Sequence, residues 1–216
     1  MPSKFINLDN TKYPPLLREI PNPPKCLYYK GSLDERIFDK CLAVVGSRHM
    51  TGYGKKVIEY LFKTLSKDIT IVSGFMSGVD VEAHEQALRF GLKTIAVMPC
   101  GIDHVYPRNQ LNLYCKIISS GGLILSEYCG DLNPEIWMYP RRNRIVAGIS
   151  KATLVIEASC DSGSVMTANI ANSFGRRVFA VPGSIFSALS KGKVQMCNEY
   201  AKSVDSSFSI NKYMNS

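Results

Sequence analysis

Apolar runs of strand length alternate with helix-like segments along most of the chain. The runs occupy residues 42–45, 69–72, 94–98, 123–125, 152–156 and 178–181. Segments with apolar positions at helical spacing lie between them, at about residues 55–65, 79–90, 109–118, 142–149 and 164–174. Short runs that are apolar at every position are typical of strands buried on both faces. This alternation predicts an α/β fold with a largely parallel sheet.

Residues 1–40 have a different pattern. Prolines at positions 14, 15, 21, 23 and 24 prevent a long helix in this segment. We expect residues 1–40 to be a lead-in packed on the core, and residues 41–216 to form the main domain.

The ends of two predicted strands carry the candidate chemistry. Ligands of parallel α/β sheets bind at the carboxyl ends of the strands. The first strand ends in Gly46-Ser47-Arg48, and the run at 152–156 leads to Ser162-Gly163-Ser164 at the start of a predicted helix. Free N–H groups and the helix dipole favour an anion at such a start.

A basic segment precedes the same strand. Arg141, Arg142 and Arg144 surround Asn143 there, directly after Tyr139-Pro140. Positive charge close to a helix N-terminus predicts a phosphate-lined binding site. A surface charge cluster beside an ordinary capped helix is the alternative.

The familiar nucleotide fingerprints are absent. In G-x-G-x-x-G, the second glycine would stand where Arg48 is, and the Walker pattern needs glycine where Thr51 is. NAD, FAD and ATP are therefore disfavoured, and we predict no cofactor. Arg48 is either a contact to a charged ligand or half of a structural salt bridge.

Composition limits the partners. The formal net charge of +8 and a pI near 9.1 favour polyanions in general. Seven cysteines form no C-x-x-C pair and do not cluster with the three histidines, so we predict no metal site. The odd cysteine count, with no signal peptide and no membrane-length apolar run, predicts a cytoplasmic protein that does not contact the membrane.

Carboxylates and histidines elsewhere suggest little catalysis. Asp80 and His84 are one helical turn apart and could form an acid–base pair. We favour instead an aspartate at a helix start and a hydrogen-bonded histidine. Glu127 and Glu157 each end a predicted strand, and paired acids would repel phosphates unless arginines neutralise them.

The ordered motifs resemble the DNA-processing protein A (DprA/Smf) family. The similarity covers roughly residues 13–205 and rests on VVGSRHMTGYG (44–54), IVSGFMSGVDVEAH (71–84), TIAVMPCGIDHVYP (94–107), ILSEY (124–128), YPRRNRIVAGIS (139–150), VIEASCDSGSVMTA (155–168) and RVFAVPGSI (177–185). Members often carry a helical domain before this core and a winged-helix-like domain after it, and neither has a counterpart in these 216 residues.

The resemblance implies an extended Rossmann-like three-layer fold without a dinucleotide. It implies a non-enzymatic, dimeric protein that binds single-stranded DNA and helps load the RecA recombinase, notably in natural transformation. The family's basic DNA pocket corresponds to Gly46-Ser47-Arg48, Arg142-Asn143-Arg144 and Ser162-Gly163-Ser164. Tyr139 stands where phenylalanine is common and keeps an aromatic face for a base, which Trp137 could also offer if it is not packed in the core.

An enzyme is the second hypothesis. Nucleotide phosphoribohydrolases of the LOG type share a similar sheet but carry P-G-G-x-G-T-x-x-E, whose glutamate is catalytic. The corresponding turn here begins at Ser162 and continues to Asn169 without a glutamate. The general acid/base is therefore missing.

Overall fold

The apolar runs form the centre of one sheet in the computed structural model, which describes residues 3–216. The strands are β1 Lys4–Asn7, β2 Cys26–Gly31, β3 Cys41–Val45, β4 Thr70–Ser73, β5 Thr94–Gly101, β6 Leu123–Tyr128, β7 Ala152–Val155, β8 Arg177–Ala180 and β9 Lys202–Ser203. Their order across the sheet is β1-β2-β6-β5-β4-β3-β7-β8-β9. The strands from β6 to β9 in this order pair in parallel, whereas β1 and β2 are antiparallel additions at one edge.

The helices are α1 Pro15–Arg18, α2 Gly52–Lys63, α3 Val79–Arg89, α4 Leu111–Ser119, α5 Met138–Ile149, α6 Gly163–Ser173, α7 Ala188–Glu199 and α8 Ser207–Met214, with short 3-10 turns at Glu35–Phe38 and Arg108–Gln110. The helices α2 to α7 connect the parallel strands, because parallel neighbours need a crossover connection, whereas α1 lies between β1 and β2 and α8 follows β9.

The period of two along each strand divides the core into two apolar layers. In β3, Ala43 and Val45 face the layer that contains α1, α5, α6 and α7. Leu42 and Val44 face the opposite layer, to which α2, α3 and α8 contribute, and α4 packs farther along on the strands β5 and β6. The result is a three-layer α/β/α structure with the sheet buried in the middle.

The chain order creates a switch point beside β3. From β3 the chain proceeds outward through β4, β5 and β6, and then returns to β7 on the other side of β3. The helices that follow β3 and β7 consequently diverge and leave a crevice at the carboxyl ends of these two strands. This crevice holds the candidate site.

The predicted α/β class and largely parallel sheet are confirmed, and one boundary matters for the site. The helix expected from residue 142 begins at Met138, so that Tyr139 to Arg144 are helical. Pro140 is compatible with this start, because the first turn of a helix has no partner for its N–H groups. The strands β1, β2 and β9 and the helix α8 were not predicted from the sequence.

Candidate nucleic-acid interface

A cavity of about 330 Å³ occupies the crevice at the ends of β3 and β7. We call it the strand-end pocket. It is lined by residues from the β3–α2 loop, the start of α5 and the start of α6, together with Gly74, Met76 and Asp80 from the segment after β4. Predicted site residues that line it are Gly46, Ser47, Arg48, Tyr139, Arg142, Asn143, Ser162, Gly163 and Ser164.

The N-terminus of α6 forms one wall of the pocket. Ser162 is the N-cap, and its Oγ accepts a hydrogen bond from the N–H of Val165 at 3.3 Å. A β-carbon on Gly163 would have no heavy atom within 4 Å, so this first turn is open to a ligand. Asn143 donates from Nδ2 to the Gly163 carbonyl oxygen at 3.4 Å, which ties α5 to the same turn. The wall has the N–H groups and dipole orientation of an anion site.

The loop after β3 forms the facing wall and is held in place by backbone hydrogen bonds. The N–H of Ser47 donates to the Glu157 carbonyl oxygen at 2.8 Å, and its carbonyl oxygen accepts from the N–H of Val79 at 3.1 Å. Gly46 has no room for a side chain, because a β-carbon there would lie 2.6 Å from Val79 Cγ2. The loop therefore presents Arg48 from a fixed base.

Arg48 is the exposed cation of the pocket. Its guanidinium carbon lies 5.3 Å from the centroid of the Tyr139 ring, a cation–π contact. No hydrogen bond or ion pair of its side chain occurs within residues 3–216, unlike the other predicted arginines. The guanidinium donors are thus available to an external acceptor such as a phosphate.

Arg142 has a structural position under the pocket. It is 5% exposed, and its Nη1 donates to the Val97 carbonyl oxygen at 2.8 Å. Gly74 makes space for it, since a β-carbon on that glycine would lie 1.9 Å from Nη1. Burial lowers the pKa of Arg142, and the nearby Asp80 carboxylate opposes that shift. Arg142 contributes charge to the pocket floor but has little surface for direct contact.

Asp80 and His84 are buried on α3 beneath the same pocket. Burial raises the pKa of Asp80, while Arg142 acts to lower it, and the carboxylate accepts from the N–H of Met76 at 3.2 Å. His84 Nδ1 lies 2.7 Å from Thr94 Oγ1, and burial lowers its pKa to about 3. The favoured interpretation of a hydrogen-bonded histidine is confirmed.

Arg141 and Arg144 do not join the strand-end pocket. Helical spacing places them together on a face of α5 that Arg142 does not share, because residues three apart are neighbours on a helix. Both pair with Glu127: Arg141 through Nε and Nη2 at 3.1 Å each, and Arg144 through Nη2 at 2.6 Å. Arg144 also donates to the Asn22 carbonyl oxygen. The sequence predicted one cluster of three arginines at the strand end. The structure places only Arg142 there, and Arg141 and Arg144 lie in a different cleft.

These two arginines line a second cleft of about 590 Å³ between the lead-in and α5. Lys25, Tyr28 and Tyr128 complete its basic and aromatic lining. Trp137 is exposed beside this region, with its ring edge-on to Tyr128 at 5.8 Å between centroids. The core-packing alternative for Trp137 is therefore wrong.

Two negative findings limit the chemistry. No group of three His, Cys, Asp or Glu side chains within residues 3–216 is arranged to hold a metal ion. In the same part of the chain, no helix has the length and apolar character needed to cross a bilayer.

The fold and the pocket define a Rossmann-like α/β protein with a pocket at the switch point of its sheet. A family model described as DNA recombination-mediator protein A matches residues 4–215. The chain belongs to this family.

Curated and solved relatives agree with that assignment. DNA processing protein DprA of Streptococcus pneumoniae is 43% identical over 94% of this chain and 71% of its own length, and its crystal structure superposes with a TM-score of 0.89. DNA processing protein A of Helicobacter pylori, solved in a study of its single-stranded DNA binding mode, is 32% identical with a TM-score of 0.82, covering 98% of this chain and 94% of that one. Protein Smf of Synechocystis is 43% identical over 84% of this chain, which spans only 46% of that relative.

Proposed function

We propose that this protein binds single-stranded DNA in the strand-end pocket and acts as a recombination mediator. The observation that carries the proposal is the free guanidinium of Arg48 facing the open N-terminus of α6 across a pocket at the switch point. A backbone phosphate would meet Arg48, the first turn of α6 and the hydroxyls of Ser162 and Ser164. The single-stranded DNA binding mode described for the Helicobacter pylori relative supports this choice of ligand.

Aromatic side chains favour a single strand over a duplex. Tyr139 is half-buried at the pocket edge with Arg48 over its ring, and Trp137 is exposed two residues earlier, at the N-cap of α5. Unpaired bases can stack on such faces, whereas bases in a duplex are already stacked. Phosphate contacts and stacking together carry little sequence information.

Arg141 and Arg144 would extend the path of the strand. Glu127 neutralises one positive charge, so that this pair of arginines and Lys25 leave the second cleft with a net positive charge. A strand leaving the strand-end pocket along α5 would reach it. We keep both arginines as proposed contacts, weaker than Arg48 because their donors are already engaged.

The family also supports a proposal for the cellular role. We propose a cytoplasmic homodimer that delivers single-stranded DNA to a RecA-type recombinase, notably during natural transformation. A dimer would place two weak phosphate pockets on one strand, and linked sites gain avidity. Light scattering with and without an oligonucleotide tests this, and a monomer at micromolar concentration in both conditions would contradict it.

Catalysis is the second candidate, and the site offers little for it. The matching family model is described as a DNA recombination mediator, and the turn after Ser162 has no glutamate to act as general acid or base. Release of adenine from AMP by the purified protein would establish the phosphoribohydrolase alternative.

A salt titration tests the DNA proposal directly. We expect the logarithm of affinity for a thymidine homopolymer to fall linearly with the logarithm of salt concentration, and Arg48→Ala to reduce the slope by about 0.7 per lost contact. Tyr139→Ala should weaken binding by about 1–3 kcal/mol at nearly unchanged slope, because it removes stacking rather than charge. Equal slopes for the wild type and Arg48→Ala would contradict the phosphate contact.

A further inference from the structure

A third cavity, of about 490 Å³, lies at the carboxyl ends of β7 and β8. It shares no lining residue with the strand-end pocket, and the β3–α2 loop contributes to both, with Gly46 to Arg48 on the first and Thr51 on the third. Its volume falls within the range of about 300–1,000 Å³ that is usual for small-molecule sites. The lining consists of Thr51, Tyr53, Glu157, Pro182, Gly183, Ser184, Ser187, Ser190 and Lys193.

Lys193 is buried in the wall of this cavity with most of its hydrogen-bonding capacity unused. It is 3% exposed, and its Nζ donates to the Ile156 carbonyl oxygen at 2.9 Å. An ammonium group has three donors, and no other acceptor for them is found among the described residues. A β-carbon on Gly183 would lie 3.0 Å from Nζ, so the ammonium borders the open space beside that glycine. A buried cation with unused donors is costly unless water or a ligand in the cavity provides acceptors.

Glu157 provides an acceptor on the same cavity. Its Oε2 accepts from the N–H of Thr51 at 2.9 Å, and its Oε1 accepts from the Thr51 hydroxyl at 2.5 Å. These bonds fix the carboxylate and still leave lone pairs on both oxygens. Burial lowers the pKa of Lys193, and the charge of Glu157, which lines the same cavity, opposes that shift.

Tyr53 gives the cavity an aromatic wall. Its hydroxyl donates to the Pro182 carbonyl oxygen at 2.6 Å, which holds the ring in position. The Lys193 Nζ lies 6.0 Å from the ring centroid. The site thus combines a flat apolar face, one group that can only donate and one that can only accept.

We infer that this cavity binds a guanine base, with O6 accepting from Lys193, the N1 and N2 groups donating to Glu157, and the ring against Tyr53. Guanine is the base whose Watson–Crick edge places an acceptor beside two donors, whereas the other three lack this pattern. The base could belong to a bound strand, in which case the inference rests on the proposed function, or to a free guanine nucleotide. A strand in the strand-end pocket is close by, because Ser47 in that pocket donates its N–H to the Glu157 backbone at 2.8 Å.

Competition binding with defined strands tests the inference. The strands are a thymidine homopolymer and three copies of equal length in which one central base is guanine, adenine or cytosine. We expect the guanine strand to bind the wild type about 10-fold more tightly than the homopolymer, the usual size of discrimination by paired base contacts. Lys193→Met should abolish this gain and leave homopolymer binding intact. Lys191→Met is the matched control, since it removes the same charge from an exposed position on the same helix and should keep the gain.

Calorimetry with free guanosine and adenosine monophosphates shows whether the cavity also binds a free guanine nucleotide or only a guanine base in a bound strand. We expect the wild type, but not Lys193→Met, to prefer the guanosine nucleotide. If no strand binds at all, the proposed DNA function fails, and the nucleotide measurement alone decides the guanine site. The inference is overturned if guanine confers no gain in either measurement, or if the gain survives Lys193→Met.

Discussion

Replacing Arg142 should lower the melting temperature of the protein. It should not remove a contact to a DNA phosphate. Arg142→Met fills a similar volume but deletes the hydrogen bond to the Val97 carbonyl oxygen and the positive charge beside the buried Asp80. Removing one member of a buried charge pair costs about 3–5 kcal/mol. In a domain of this size each kcal/mol lowers Tm by about 2–4 °C, so the expected loss is about 6–20 °C.

The exposed Arg48 is the control for this experiment. Arg48→Met removes the same charge at a position without hydrogen bonds to the rest of the described chain, and surface changes usually cost less than about 0.5 kcal/mol. Its Tm should stay within about 2 °C of the wild type, while its salt slope for single-stranded DNA decreases. Arg142→Met, measured below its own Tm, should keep the wild-type slope.

Thermal melts by circular dichroism give the Tm of Arg142→Met and Arg48→Met, and salt titrations by fluorescence anisotropy give their salt slopes. Adding Asp80→Asn to Arg142→Met should recover part of the lost stability, because the uncompensated buried carboxylate is then removed. A wild-type Tm for Arg142→Met together with a reduced slope would refute the reasoning, since Arg142 would then be a phosphate ligand.

Two further predictions concern the support of the pocket. His84 has a folded-state pKa of about 3 against an ordinary 6.5, so the unfolded chain binds its proton first and stability should fall by about 1.4 kcal/mol per unit as pH drops from 6.5 towards 3. Denaturant titrations at several pH values should show that this loss of stability at low pH is absent in His84→Gln. A His49→Gln control on the exposed loop should keep it. If stability falls with pH in His84→Gln as it does in the wild type, His84 is not the group responsible. Gly78→Ala and Gly91→Ala both place alanine at positive φ, which costs about 1–2 kcal/mol in the left-handed region. Gly78 has φ 83° and ψ −128°, a conformation that essentially only glycine adopts, so its substitution should cost more stability than that of Gly91. Gly78→Ala should also weaken DNA binding, because its β-carbon would lie 2.3 Å from the Ser47 carbonyl oxygen, whereas Gly91 has open space around it; equal DNA affinity for the two variants would show that the loop tolerates the displacement.

The central sheet and the place of the site could be predicted from the sequence because their signals are local. Strands buried on both faces, such as 152–156, are visible as uninterrupted apolar runs, and the rule for switch points then indicates where polar strand ends converge. The grouping of Arg48 with Ser162-Gly163-Ser164 follows from these two steps alone.

The separate positions of the arginines were not predictable in the same way. They depend on where α5 begins, and Pro140 resembled a helix breaker although it lies in the first turn. Four residues of additional helix turn Arg142 inward and Arg141 and Arg144 towards Glu127. The edge strand β2 was missed because its pairing partner, β6, is about a hundred residues away, and no local pattern reveals such a contact.

The cavity beside Lys193 illustrates the same limit. Lysine is mostly exposed in proteins, and the residues around position 193 contain no recognisable motif. Its burial becomes visible only when α7 packs near the end of β7, where the Ile156 carbonyl oxygen accepts from its ammonium group.

The preference for single-stranded over double-stranded DNA tests the central claim most directly. One labelled strand is measured alone and annealed to its complement, at a single salt concentration, with the wild type and with Arg48→Ala. We predict tighter binding to the free strand than to the duplex, and loss of affinity for the free strand in Arg48→Ala. Equal affinity of the wild type for strand and duplex, or a free-strand affinity that Arg48→Ala leaves unchanged, would contradict the account.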